Sequence, residues 1–223
     1  MRTTLLAAAA LIAGAPAWAA QPLLSARLSH EIVEQGADGV THVRRYEERL
    51  LRGADQLWVE RVLPAWAEGQ VHHEDGFGHH DLDMHLAPRW ITRGADGAAE
   101  LALVDPEHRT FFRVDKPGFA QTGFSGRWVA EFSLIDPASL RGMQPVERKA
   151  ARGVHWYERR DRNEYMRVLW NEALQLPLEI ETGAIDGRYR SRTTVRIEAQ
   201  APARAPWEGL ADYSAREISD LGD

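Results

Sequence analysis

The stretch LPLEIETGAIDGRYRSRTTVRIEA, Leu176 to Ala199, decides the fold class. Tyr189, Ser191, Thr193, Val195 and Ile197 share one side of an extended chain. Arg188, Arg190, Arg192 and Arg196 share the other. A period of two marks a strand with one buried face. The segment before it alternates in the same way, with Leu178 and Ile180 against Glu179 and Glu181. Ile185-Asp186-Gly187 joins them, since Asp-Gly supplies the positive φ that a tight hairpin requires. Pairing would set the two glutamates against the arginine row. Working outward, Val154–Arg160 and Glu164–Trp170 read as two more strands, so the region from Val154 to Ala199 forms a meander.

The N-terminus carries a different signal. Arg2, the apolar run Leu5–Ala13 and Ala17-Trp18-Ala19 read as the charged region, core and cleavage site of a secretory signal peptide over residues 1–19. The run is too short to span a bilayer, which takes about 20 residues. The protein is thus expected in the periplasm, not spanning a membrane. The remaining chain, about 200 residues, is long enough for one domain with a sizeable core. That core must hold without disulfides, since the cysteine count is zero. The same count removes thiol nucleophiles, iron–sulfur clusters and covalent haem. The net charge of −6 argues against nucleic acid as a partner.

Further strands read as Leu24–Val33, Val40–Leu51, Gln56–Leu63, Arg89–Thr92, Glu100–Val104 and Arg109–Val114, joined by short turns. The second and third are charged on both faces through Arg44, Arg45, Glu47, Glu48, Arg49, Glu60 and Arg61, which reads as a solvated sheet edge. From Ser125 the period changes. Trp128, Phe132 and Ile135 lie at i, i+4 and i+7, which predicts a helix with Ser125 as its N-cap, and a strand reading fits nearly as well. Asp136-Pro137 opens a second short helix that ends near Gly142. Residues 20–201 form the β-rich domain. Residues 202–223 are set apart as an acidic tail with helical character at Leu210–Ile218. The expected class is α+β: one large antiparallel sheet with a pair of inserted helices.

The run Trp170 to Pro177-Leu178-Glu179, followed by Asp186-Gly187 and a polar strand, resembles a pattern of the LolA/LolB-like periplasmic lipoprotein carriers. It is similar also to the related sensor domain that binds an anti-sigma factor. The resemblance spans about residues 164–197. It implies that the large antiparallel sheet is strongly curved into an unclosed half-barrel with the inserted helices on its concave side, and that its apolar hollow holds an acyl chain or a segment of an exported or membrane protein partner. The chain departs from the pattern in lacking an N-terminal helix before the first strand and in carrying a histidine-rich insertion.

The aromatic residues Trp58, Trp90, Phe112, Phe124, Trp128, Phe132, Trp156 and Trp170 are candidates to line such a hollow, and they serve equally as plain core. No G-x-S-x-G elbow, phosphate loop or carboxylate pair in an apolar setting is present, so a binding module is expected rather than an enzyme. The alternative lies in residues 71–85, which hold five of the nine histidines. Imidazole is largely neutral at pH 7 and binds zinc or copper through nitrogen. His72, His73, His79, His80 and His85 are therefore candidate ligands, for an accessory metal-binding role or a metal-assisted hydrolase.

Overall fold

The computed structural model describes residues 23–64 and 82–222. The segment read as a signal peptide lies outside them. Among the described residues twelve strands form one sheet: β1 Leu24–Gln35, β2 Thr41–Arg52, β3 Gln56–Val62, β4 Arg89–Arg93, β5 Ala99–Asp105, β6 Thr110–Val114, β7 Gln144–Val146, β8 Val154–Arg160, β9 Glu164–Asn171, β10 Leu176–Ala184, β11 Tyr189–Ile197 and β12 Ser214–Glu217. Their order is β12-β6-β5-β4-β3-β2-β1-β11-β10-β9-β8-β7. Every pairing is antiparallel except β12 with β6. The end strands β12 and β7 do not meet, so the sheet is open.

The central hairpin forms as its alternation dictates. Gly187 turns at φ +79°, Thr193 opposes Ile180, and Glu181 opposes Arg192. Arg192 Nη2 donates to Glu179 at 2.8 Å. This outer face carries a ladder of ion pairs that continues through Arg45–Glu31, Arg27–Glu47 and Arg167–Glu181. Such exposed pairs are each worth at most about 1 kcal/mol, so they make the face soluble more than they hold it together.

The opposite face carries the main core. Leu28 on β1, Leu50 on β2, Leu57 and Val59 on β3, Ile91 on β4, Leu101 and Leu103 on β5 and Val195 on β11 pack as one cluster. Residues 119–135 cross this face. Phe119, Phe124, Trp128, Phe132 and Leu134 join the same cluster. Ile135, Leu140 and Met143 then cover Val168 and Trp170 on the far half of the sheet. The inserted segment thus spans both halves from one side.

Its local structure differs from the sequence expectation. The α-helices are single turns, α1 Phe119–Thr122 and α2 Trp128–Phe132. Ser125 is not the N-cap of α2. That position is Arg127, without a side-chain cap, and Ser125 instead donates from N and Oγ to Glu131 Oε1 at 2.9 and 2.6 Å. Leu134 at φ +59° turns the chain out of the helix before Ile135 can extend the stripe. The Asp136-Pro137 start is as read, Asp136 accepting from Ala138 N at 2.9 Å, but the turn to Gly142 is a 3₁₀ helix.

The C-terminal segment is part of the fold. Leu210–Ile218 is not helical throughout. A 3₁₀ turn, Pro206–Asp212, gives way to β12, and a second 3₁₀ turn follows over Ile218–Gly222. Leu210, Trp207 and Tyr213 lie on the outer face against Leu51, Trp58, Trp90, Val104 and Phe111. Around Leu51, Trp58, Trp90, Val104 and Phe111, β2–β6 are therefore covered on both sides.

Candidate functional site

Between the concave face and the covering segment lies a cavity of about 440 Å³. Its floor is Leu28, Leu57, Val59 and Ile91. Gly123, Ser125, Ala130, Glu131 and Leu134 roof it, and Ile180 and Thr193 form the far wall. Arg89 on β4 and Ile180 on β10 both line it, though five strand spacings separate them in the sheet order. At about 4.8 Å per spacing a flat sheet would place them about 24 Å apart, so the sheet curls around the cavity. A larger depression of about 580 Å³ lies toward the outer face, at Ser29, Glu31, Arg45, Glu47 and Arg192. Its charged side chains are already spent on the ion-pair ladder, so the concave cavity is the better candidate.

Register organises that cavity. Ala26, Leu28 and His30 on β1 stand opposite Leu50, Glu48 and Tyr46 on β2, and opposite Ile197, Val195 and Thr193 on β11. Across β2, Leu50 and Glu48 oppose Val59 and Arg61 of β3. Four adjacent strands thus change from apolar to polar at nearly the same level. One end of the hollow is hydrocarbon, and the other is lined by His30, Tyr46, Glu48, Arg89 and Thr193, with Arg61 beside them, on the Tyr46 ring and opposite Glu48.

The cluster is tightly built. His30 Nδ1 lies 3.0 Å from Thr193 Oγ1, and its ring stacks on Tyr46 at 4.5 Å. The Arg61 guanidinium lies over the other side of Tyr46, 3.6 Å from the ring centre. Glu48 Oε1 accepts from Arg89 Nη2 at 3.0 Å, and Oε2 lies 3.0 Å from His30 Nε2. That last approach is close enough for an ion pair, yet Nε2 makes no hydrogen bond of good geometry, so the contact is electrostatic rather than aligned. Burial pushes the Glu48 carboxyl up, but His30, Arg89 and Arg61 together more than offset it and hold it below its usual range.

Thr193, His30 and Glu48 make two of the contacts that a hydroxyl nucleophile needs. Thr193, however, is mid-strand and paired on both sides, to His30 and Ile180. Its main chain is engaged in the sheet, which leaves no adjacent N–H pair to hold an oxyanion.

The aromatic candidates divide between the faces. Phe124, Trp128 and Phe132 come together under the covering segment, with Trp128 and Phe132 rings 5.4 Å apart. Phe112 is fully buried on β6 opposite Leu103. Trp170 packs with Met143 and Val168 farther along. Trp58 and Trp90 face outward under the C-terminal segment, and Trp156 points to the outer side of β8, beneath Arg148. Of the histidine-rich stretch, His72, His73, His79 and His80 lie outside the described residues and His85 lies within them. Among the described residues no group of three or more His, Asp and Glu is placed to hold a metal ion. Sequence reading missed Tyr46, Glu48, Arg61 and Arg89. The signal was there in strands charged on both faces, because only one of those two faces is solvated.

Fold and cavity together define the class: an open antiparallel half-barrel with one covered concave face. No family model matches the chain, and no curated protein does. Among solved structures it is similar to a LolA superfamily protein from Nitrosomonas europaea, at 10% identity over 85% of this chain and 90% of that one, with a TM-score of 0.33. It is similar also to a DUF1329 family protein from Desulfovibrio piger, at 12% identity over 89% and 91%, TM-score 0.34. A third likeness is to the Pseudomonas aeruginosa MucA/MucB complex, at 14% identity over 83% and 55%, TM-score 0.34. These values describe a likeness of sheet architecture, and the functional reading below stands on the chain's own residues. Among the described residues no helix is long and apolar enough to cross a membrane.

Proposed function

We propose that this chain is an exported, periplasmic binding module that holds an apolar ligand, an acyl chain, or an extended partner segment in the hollow of its half-barrel. One observation carries the reading: the sheet curls around a cavity of about 440 Å³ floored by Leu28, Leu57, Val59 and Ile91. That size falls in the range of ligand pockets, about 300–1,000 Å³. The leader-like residues 1–19 support export. The engaged main chain of Thr193 favours binding over acyl transfer.

The test is native mass spectrometry of the protein purified from the periplasm, beside an Ile180→Trp variant that fills the wall of the hollow. The wild type is expected to carry acyl-chain or peptide adducts that the variant loses. A wild type free of adducts that also takes up no fluorescent apolar probe would sink the proposal.

A further inference from the structure

We propose that the polar end of the hollow is a head-group subsite, and that the ligand is an amphiphile with an oxyanion head, carboxylate or phosphate, held by Arg61. This rests on the binding role proposed above and names the class of ligand.

The argument starts from charge. Arg61 and Arg89 share the concave face with the Glu48 carboxylate, and both of its oxygens are engaged, by Arg89 and by the approach of His30. Glu131, the other carboxylate among the described lining residues, turns one oxygen to Ser125. Arg61 Nη1 is buried and has no hydrogen-bond partner among the described residues. A buried donor left unpaired costs about 1–3 kcal/mol, more on a charged group.

Geometry gives the same answer. Tyr46 supports the guanidinium face-on at 3.6 Å and is itself backed by His30. A guanidinium held flat by its face leaves its edge for an acceptor, and the planar fork suits two oxygens of one group. Arg61 stands directly opposite Glu48, on the same side of β3 as Val59 and Leu57. A ligand with its head at Arg61 would lay its tail over Val59, Leu57, Leu28 and Ile91, because the apolar level begins one register step inward on β1, β2, β3 and β11. A purely apolar ligand would leave the cluster without use.

The experiment compares dodecanoate, dodecyl phosphate and dodecanol by calorimetry on the purified full chain, each below its micelle threshold. The three share a tail and differ in the head. One or both anions should bind about tenfold or more tightly than the alcohol, as a charge-assisted contact provides. The tighter of the two identifies the head. Arg61→Gln should bring all three within about threefold of one another. Arg61→Lys should keep part of the preference, which guards against a folding defect in the first variant. Arg45→Gln, on the outer face, should change nothing. Equal binding of the three heads by the wild type would overturn the subsite and leave the hollow standing. A preference that survives intact in Arg61→Gln would overturn the assignment to Arg61. No binding of any of them would overturn the subsite and the acyl-chain occupant of the hollow together.

Discussion

Arg52 holds Phe132 in two ways: Nη1 donates to the Phe132 carbonyl at 3.2 Å, and the guanidinium carbon lies 4.4 Å from the centre of the Phe132 ring. Its Nη2 reaches the Leu174 carbonyl at 2.6 Å. One side chain therefore ties the floor strand β2 to the covering segment and to the turn between β9 and β10. Arg52 is only 9% exposed, and burial lowers its pKa from the usual arginine value. Arg52→Met should leave two carbonyls without donors and cost about 2–3 kcal/mol. Urea denaturation should show a lower midpoint at unchanged slope. An unaltered midpoint would show that the clamp contributes nothing.

Gly126 sits in the loop that carries α2. Its φ is +70°, and an added Cβ would lie 2.9 Å from the Phe119 ring. Its carbonyl accepts from Ala99 N at 3.1 Å, which fastens the covering segment to β5. Gly126→Ala therefore meets a backbone penalty of about 1–2 kcal/mol and must also displace Phe119. A melting temperature lower by several degrees is expected. Gly142→Ala is the comparison, since its added Cβ meets nothing within 4 Å and its φ is not positive. It should leave the melting temperature close to that of the wild type.

The sheet was legible because its periodicity is local. The row from Tyr189 to Ile197 fixes the faces of β11 without any knowledge of its neighbours, and the Asp186-Gly187 turn fixes its partner. The curl of the sheet was legible only through resemblance. Ser125 and the C-terminal segment show where local reading stops. Ser125 has the chemistry of a cap, yet its hydroxyl is taken by Glu131 six residues on. Ser214–Glu217 carries no strand pattern of its own. It is a strand because Phe111 and Phe112 on β6 offer it an open edge. The polar end of the hollow has a third cause. Glu48 and Arg61 look like surface charges, and only pairing β1 with β2 and β2 with β3 turns them to the concave side beside His30.

Leu210 tests whether the C-terminal segment is structural. It is 6% exposed and packs with Leu51, Trp58 and Val104 on the outer face. Leu210→Ala should cost about 2–3 kcal/mol, the low end for a buried leucine because the site lies near the surface. Ala211→Ser, at an exposed neighbour, should be neutral. Equal stability of the two variants by thermal melting would return residues 206–217 to the status of a tail.

Glu48 sets how the hollow responds to acid. Burial alone would raise its pKa, but the net displacement is downward, through His30, Arg89 and Arg61. A carboxyl whose pKa is lower folded than unfolded stabilises the fold fully above the unfolded value, about 4.3 for glutamate. That stability is lost as pH falls from there through the folded value. Glu48→Gln removes the titration and leaves Arg89 without its carboxylate. At pH 7 it should cost about 2 kcal/mol, less than the 3–5 of a fully buried pair because Glu48 and Arg89 keep some solvent. The side-chain exposures are 16% and 30%. The gap between variant and wild type should narrow as pH drops below about 4, where the wild-type carboxyl takes up its proton. Denaturation midpoints at a series of pH values read this directly. A gap that stayed constant down to the acid limit would mean that Glu48 titrates alike in the folded and unfolded chain and that its cationic neighbours do not hold its pKa down.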